Sequence, residues 1–255
     1  EASVHALILV ARRAPQLRAT RFARIEALPG PVEVLRSVEA ADLHPEEPWG
    51  PFLRAPASWF DWRHRDDLHP LGDFAEVVRG HTTNDNRFFY PPPDADIEPQ
   101  HLRPLLKSPK RVPGLRFDPT ALPDRLFDCR LPPLFLQAGG QRGALAWIGE
   151  RSDWSLRPQE PASLFLLKGL HDRFRQPLAA SPCAFDQQLY ALRPRSGVPL
   201  AALAALMNSS FAHLEVELAG RVNFGDGVLW LGLEDARTRI RLPDPRRLGP
   251  EVLAA

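Results

Sequence analysis

The sequence predicts a mixed α+β fold, rich in strands, with a few helices and many irregular connections that contain proline. Apolar runs of strand length outnumber the one clear helical repeat, and they do not alternate with helices as in a doubly wound sheet. Prolines account for 28 of the 255 residues and are scattered along the chain, about twice the usual ~5% share. That spread favours short elements joined by irregular turns.

The first eighty residues contain few regular signals. An apolar run at residues 4–11 predicts a buried strand, and the proline-marked stretches behind it predict one or two more strands. Trp59, Phe60 and Trp62 form an aromatic group that predicts a short anchored helix, followed by a charged turn in solvent. A further strand is predicted at residues 74–78.

The second half of the chain carries more short apolar runs and one helical repeat. Five strands are predicted at residues 134–136, 144–148, 163–167, 188–192 and 228–233. One helix is predicted over residues 199–218, because Pro199 suits a first turn, Gly220 suits an end, and apolar residues recur at helical spacing between them. The repeat consists of Leu200, Leu203, Met207, Phe211, Leu214 and Leu218.

Composition and charge give limited information about function. A chain that is 44% hydrophobic and 25% charged is typical of a folded globular protein and not of a disordered one. Lys and Arg number 32 against 31 Asp and Glu, so any basic surface must be local. Only three of the cations are lysines; arginine pairs bidentately with phosphate and guanine, but a genome that favours arginine explains the excess equally well.

Membrane and disulfide signals are absent from the sequence. The run at residues 4–11 is too short to span a bilayer and lacks a basic leader. Cys129 and Cys183 have no CxxC spacing, so neither a zinc site nor a disulfide framework is indicated and a reducing cytosol is the default compartment. The only methionine is Met207, and we therefore expect a fragment whose N-terminal part was removed.

Sequence signals for catalysis or metal binding are weak. The most metal-like cluster consists of His64, Asp66, Asp67 and His69. Its spacing fits neither HExxH nor a cysteine-containing zinc pattern, which favours a solvated charged turn. No Gly-x-Ser-x-Gly is present, and Ser209 and Ser210 fall in the predicted helix. A carboxylate pair has no sequence signature, so a hydrolase stays an open alternative.

The strongest functional signal is a polar loop at residues 80–87, directly after a predicted strand. Its threonine, asparagine and arginine side chains can reach the phosphates or base edges of DNA. The same side chains can instead cap their own backbone in a turn. Spacing alone does not separate the two interpretations.

Three segments, in order, resemble the DNA target-recognition domain of TaqI-like N6-adenine DNA methyltransferases. The first is the loop with its preceding strand, of the form Val-x-x-Gly-x-x-Thr-x-x-Asn-x-x-Phe. The second is RPLLK at residues 103–107. The third, at residues 186–245, comprises DQQLYALRP, a helix ending in LAALMNSSF, and GRVNFGDGVLWLGLEDARTRIRLPDP.

The resemblance implies a chain that reads DNA while another domain of a methyltransferase or fused restriction-modification enzyme performs the chemistry. Residues 1–20 are then the last strand of a removed catalytic domain with its linker. Residues 21–255 are the recognition domain, divisible into 21–185 and 186–255. The implied partners are double-stranded DNA and the parent's own N-terminal catalytic domain, with no membrane, in a prokaryotic cytoplasm at the nucleoid.

The catalytic motifs of such methyltransferases are missing from this sequence. It has neither a glycine-rich turn for the methyl donor nor an Asn/Asp-Pro-Pro-Tyr/Phe motif for the target base. Tyr90-Pro91-Pro92-Pro93 is similar to the second motif only superficially and is interpreted as a strand terminator. No catalytic residue, metal or cofactor is therefore predicted for this chain, and S-adenosylmethionine is expected only for the parent enzyme.

By this resemblance, base edges are read from the loop and from residues 221–223, and phosphates are held by residues such as Lys107, Lys110 and Arg111. The predicted DNA contacts are Arg79, Gly80, Thr82, Thr83, Asn84, Asn86, Arg87, Lys107, Lys110, Arg111, Arg221 and Asn223. Asn84 stands where the family usually has glycine, and asparagine adopts a left-handed backbone at a small cost.

A function of another class remains open on the sequence alone. In a protein-protein scaffold, the tryptophans and the proline-rich turns would form the interface, and the polar loop would only cap its own backbone. Salt-dependent binding to duplex DNA separates this scaffold from a recognition domain.

Overall fold

The computed structural model describes residues 19–27, 29–44, 48–170, 174–222 and 228–248. The strand predicted at residues 4–11 and the predicted contact Asn223 lie outside these ranges. The α+β class is confirmed, because short helices surround several sheets without regular strand-helix alternation. Among the described residues, no helix combines the length and the apolar character needed to cross a membrane.

A small N-terminal unit precedes the main sheet. Strands β1 (Ala19–Arg24) and β2 (Glu33–Glu39) pair antiparallel, and helices α1 (Gly50–Arg54) and α2 (Ala57–Trp62) follow. Phe22 of β1 stacks on Phe52 of α1 with ring centroids 4.8 Å apart, which gives the hairpin an aromatic core. The short helix predicted from the tryptophans is confirmed as α2.

The remaining strands follow in chain order with their bounds: β3 (Leu68–Pro70), β4 (Ala75–Arg79), β5 (Leu102–Leu106), β6 (Arg116–Phe117), β7 (Arg125–Phe127), β8 (Ala162–Leu167), β9 (Gly169–Leu170), β10 (Leu178–Phe185), β11 (Leu189–Pro194), β12 (Arg221–Val222), β13 (Leu229–Trp230) and β14 (Arg241–Pro243). The remaining helices are α3 (Asn86–Phe89), α4 (Pro133–Ala138), α5 (Arg142–Ile148), α6 (Leu200–Met207), α7 (Ser210–Ala219) and α8 (Leu233–Thr238). Strands β4, β8 and β11 confirm the predictions at residues 74–78, 163–167 and 188–192 to within two residues.

The central sheet has seven strands in the order β4-β11-β8-β10-β5-β7, with β6 attached to β10. Strands β5 and β6 run parallel to β10, whereas the other neighbours are antiparallel. Smaller sheets join β12-β13-β9 and β14-β3. This mixed sheet carries the loop at residues 80–87 on the end of its edge strand β4.

The central sheet separates two hydrophobic cores. On β5, Leu105 packs into one core and Leu106 into the other, and on β10 Ala184 and Phe185 divide in the same way. Successive strand residues point to opposite faces, which accounts for this alternation. The larger core lies under α6, α7 and α8, and the smaller one lies under α3, α4 and α5.

Two strand predictions are wrong, because residues 134–136 and 144–148 belong to the helices α4 and α5. A glycine pair after α4, Gly139 and Gly140, turns the chain between the two helices, and Gly140 has φ +68°. A short apolar run does not distinguish a buried strand from one buried face of a short helix. In α4 only Leu136 is buried, while the two residues before it face solvent.

The single helix predicted over residues 199–218 is two helices, α6 and α7. The Asn208 amide donates to the Ala204 carbonyl at 2.9 Å, and the Ser209 hydroxyl accepts from the Ala212 amide at 3.1 Å. Such side-chain bonds end one helix and cap the next. The predicted stop at Gly220 is confirmed. The strand predicted at residues 228–233 is shorter in the structure, where β13 comprises only Leu229–Trp230 and Leu233 already begins α8.

Candidate nucleic-acid interface

The loop at residues 80–87 is fixed at its start by the turn between β10 and β11. The Gly80 amide donates to the Leu189 carbonyl at 3.1 Å, and the His81 amide donates to the Phe185 carbonyl at 2.9 Å. A Cβ placed on Gly80 would lie 2.1 Å from the Asp186 carbonyl oxygen. Only glycine therefore allows the two backbones to approach this closely.

The end of the same segment is fixed by a buried hydrogen bond. The Tyr90 hydroxyl donates to Asp186 Oδ2 at 2.5 Å, and the Gln188 amide donates to Asp186 Oδ1 at 2.9 Å. Asp186 is only 2% exposed. Burial, and then the bond to the Asp186 carboxylate, raise the pKa of Tyr90. The segment before the prolines at residues 91–93 is the helix α3, which ends at Phe89. The prediction that these prolines end a strand is therefore wrong.

Hydrogen bonds account for Thr83 and Asp85, two of the loop's polar side chains. The buried Thr83 hydroxyl donates to the Asn86 side-chain oxygen. Asp85 caps α3 by accepting from the Phe88 amide at 3.2 Å, and its carboxylate pairs with Arg151 at 2.8 Å. The bond to Arg151, followed by the backbone bond, lowers the pKa of Asp85. The capping interpretation therefore holds for Asp85, whereas the Thr83 hydroxyl bonds to another side chain of the loop.

Four side chains of the loop are exposed, although two of them also form hydrogen bonds, Thr82 to Gln187 and Asn86 to Thr83. Thr82, Asn84, Asn86 and Arg87 are exposed, and no hydrogen bond or ion pair engages the Arg87 guanidinium within the described ranges. Asn84 has φ +57° and is the one non-glycine residue with positive φ in the described part of the chain. It therefore adopts a left-handed backbone, which asparagine tolerates at a small cost.

Gln187 contributes to this surface although sequence reasoning did not select it. The Thr82 hydroxyl donates to Gln187 Oε1 at 3.2 Å, and the Gln187 amide donates to the His81 carbonyl at 3.1 Å. The two partners of each bond are more than a hundred residues apart in sequence. No local pattern signals a contact of that separation.

The basic residues predicted to contact DNA differ in their distance from the loop. Lys107 directly follows β5, and its ammonium lies 5.4 Å from the centroid of the Tyr90 ring, so it stands beside the loop. Arg79 ends β4, is exposed and leads into the loop. Lys110 and Arg111 lie farther along the chain in a 3-10 turn, where Arg111 pairs with Asp124 at 3.0 Å.

The structure does not bring Arg221 into this cluster. Arg221 lies on β12 in the three-stranded sheet, and its guanidinium pairs with Asp235 of α8 at 3.3 Å. Its neighbour Asn223 lies outside the described residues. The second predicted base-reading place thus stays a prediction, whereas Lys107 lies over the Tyr90 ring, three residues beyond the end of the loop.

Two further arginines stand next to the loop: Arg103, which begins the RPLLK segment, and Arg130, and neither was among the predicted DNA contacts. Arg103 and Arg130 both pair with Asp128, at 2.7 Å and 3.1 Å. All three charges act on the His81 imidazole, whose pKa is lowered mainly by burial. Asp186 acts on His81 as well, so two carboxylates balance the two arginines in number. Arg103 and Arg130 are exposed, whereas the Asp128 side chain is 8% exposed and Asp186 is buried, so the charges that reach the surface beside the loop are the two cations.

The metal-like cluster has the predicted character of a charged turn. Arg65 pairs with Asp67 at 2.7 Å, and both side chains are at least half exposed. No group of three or more potential metal ligands occurs among the described residues. Cys129 and Cys183 are free and buried.

The sequence matches no family model and no curated protein. Among solved structures, the type IIG restriction endonuclease BpuSI matches with a TM-score of 0.56 and 11% identity, over 77% of this chain and 27% of the endonuclease. The HsdS subunit from Thermoanaerobacter tengcongensis gives a TM-score of 0.38 and 14% identity, over 73% of this chain and 35% of that one; overlap this loose carries no argument. The chain shares its fold with part of BpuSI and spans 27% of that enzyme's length.

Proposed function

We propose that this chain is a DNA target-recognition domain, which binds duplex DNA and selects the sequence at which a restriction-modification enzyme acts. The observation that carries the proposal is the loop at residues 80–87. Gly80 and Tyr90 anchor it at both ends through the Asp186 turn, while Thr82, Asn84 and Arg87 remain exposed. Donors and acceptors held in a fixed position are what reading of base edges requires.

The cations around the loop provide the phosphate contacts that accompany base reading by the loop. Lys107, Arg103 and Arg130 border the loop, and phosphate contacts from such side chains fix the position of the protein on the duplex without reading sequence. Arg87 is the side chain suited to a guanine, because its unengaged guanidinium can donate to O6 and N7 together. In this proposal the loop selects the DNA sequence, and the neighbouring cations raise the affinity for all sequences alike.

The chemistry belongs to another part of the parent protein. The resemblance to TaqI-like enzymes supports an N6-adenine methyltransferase that uses S-adenosylmethionine in its own catalytic domain. The fold shared with part of a restriction endonuclease supports a role within a larger enzyme. The absence of methyltransferase motifs from this sequence fits a chain that contributes DNA selection and leaves the reaction to its partner domain.

Binding of a fluorescent duplex at several salt concentrations tests the proposal. Affinity is expected to fall linearly on a log-log plot, by about one decade of Kd per decade of salt for each phosphate contacted. A chain that does not bind duplex DNA even at low ionic strength is not a DNA recognition domain, and that result favours the protein-protein scaffold.

A further inference from the structure

The helix α4 begins with an exposed apolar segment that the recognition loop does not explain. Leu134 is 73% exposed, Phe135 is 63% exposed and Leu131 is 40% exposed. Pro132 and Pro133 lie between Leu131 and Leu134. We call residues 131–135 the apolar tip. Large apolar side chains exposed side by side mark a contact surface.

The apolar tip is held on the same small core as the loop. Leu136, the next residue, is fully buried in the cluster that contains Phe88 and Tyr90. The Gln141 amide donates to the Leu136 carbonyl at 2.9 Å, and the Gln141 side chain is hydrogen-bonded to His101 Nε2. Two prolines and these bonds order the tip before any ligand binds, so binding costs it little conformational entropy.

The charges around the apolar tip select the kind of partner. Arg130 immediately precedes it and shares Asp128 with Arg103 beside the loop. From Asp128 to Glu150 the sequence has two arginines, Arg130 and Arg142, and two acidic residues, one at each end. The exposed charges beside the tip are those of Arg103 and Arg130, since the Asp128 side chain that they share is 8% exposed. A polyanion fits an apolar tip bordered in this way, because cations can hold the phosphates on either side while the tip meets the uncharged bases.

We propose that Leu134 and Phe135 insert against the bases at an unstacked step of the duplex, while Arg130 and Arg103 hold the flanking phosphates. Apolar wedges of leucine, phenylalanine and proline are suited to enter base steps and kink the duplex. The proposal rests on DNA recognition as the function of the chain. It adds deformation of the DNA as a second source of selectivity, since steps differ in how easily they unstack.

The test compares the chain with its Leu134→Ser/Phe135→Ser variant on two duplexes. One duplex is fully paired, and the other carries a central mismatch beside a 2-aminopurine, which fluoresces when unstacked. The original chain is expected to bind the mismatched duplex more tightly, because the mismatch has already weakened the base stacking there. Binding is also expected to raise the 2-aminopurine fluorescence. The variant should lose about tenfold or more in affinity, together with the preference and the signal, while its salt slope stays unchanged.

Val32→Ser/Val34→Ser is the matched control. Both valines are more than half exposed beside or on β2, so the control removes a similar apolar surface from the N-terminal hairpin. It should bind both duplexes as the original chain does. Equal unfolding midpoints of the three proteins establish that lost binding does not reflect lost folding.

Three outcomes overturn the inference. If the tip variant binds DNA with unchanged affinity, preference and signal, the wedge is wrong while DNA recognition stands. If the original chain binds no duplex at all, the proposed function fails and the wedge fails with it. If sedimentation shows self-association that only the tip substitutions abolish, and DNA binding is unaffected, the tip is a contact between copies of the chain.

Discussion

The Tyr90 hydroxyl donates to the Asp186 carboxylate at 2.5 Å, and this bond ties the end of α3 to the turn between β10 and β11. The same turn holds the beginning of the loop, because the Asp186 backbone packs against Gly80. The polar loop is therefore closed at both ends on one buried residue. Its exposed side chains are presented from a fixed base and not from a free connection.

Tyr90→Phe is expected to lower the free energy of unfolding by about 1–3 kcal/mol, because it leaves a buried carboxylate oxygen without its donor. Urea unfolding of Tyr90→Phe, Asp186→Asn and the double variant measures the interaction as a double-mutant cycle. The double variant should lose less than the two single losses combined. Simple additivity would show that the two groups do not stabilise one another.

Gly80→Ala is expected to destabilise the chain by about 1–3 kcal/mol, since its Cβ would overlap the Asp186 carbonyl and force one backbone to move. Gly114→Ala is the matched control, because a Cβ there meets only the Arg116 carbonyl at an ordinary 3.5 Å. Denaturant midpoints compare the two. A loss for Gly80→Ala no larger than that of the control contradicts the close approach.

The sequence predicted the sheet strands better than the helices, and particular residues explain the difference. The strand before the loop was predicted from its apolar residues, with Phe74 and Val77 or Val78 as buried positions, and Phe74 and Val77 are indeed buried. The α4–α5 pair was missed because short helices bury only an occasional residue, and the break after Met207 was missed because Asn208 and Ser209 act through side-chain bonds.

The candidate site could be found only in part. The loop and Asn84 were recognisable because left-handed and tight backbone positions restrict residue choice. Asp186, Arg103 and Arg130 were not, since each reaches the loop through a contact that folding creates between distant segments. Arg103 opens the second resembling segment and Asp186 the third, but nothing in their local sequences indicates which distant residues they contact.

The partly buried His81 predicts a pH dependence of stability. Its pKa is lowered in the folded chain below the usual 6.5, chiefly because burial disfavours the charged ring. The unfolded chain then binds the proton first, so the stabilisation present above about pH 6.5 is lost as the pH falls towards the folded-state pKa. In His81→Asn, the urea unfolding midpoint should fall less steeply as the pH is lowered below about 6.5. Replacement of the exposed His64 by asparagine should leave this pH dependence unchanged. If the midpoint of His81→Asn falls as steeply as that of the original chain, His81 is not the source of the pH dependence.

Lys107→Ala should weaken binding to all duplexes alike and reduce the slope of log affinity against log salt by about one, the share of a single phosphate contact. Arg65→Ala is the control, because it removes a cation that pairs with Asp67 in an exposed turn. Anisotropy titrations over a range of salt measure both slopes. A Lys107→Ala slope equal to that of the original chain places Lys107 away from the phosphates.

Selection from a pool of randomised duplexes tests the central claim most directly, with the original chain and Arg87→Ala carried through in parallel. The original chain is expected to enrich one short sequence. Arg87→Ala should keep most of that sequence and relax the choice at one base pair, with a loss of ~1–3 kcal/mol of discrimination there. Binding without any enrichment, or an Arg87→Ala chain that loses affinity equally for every sequence, would contradict sequence reading by this loop.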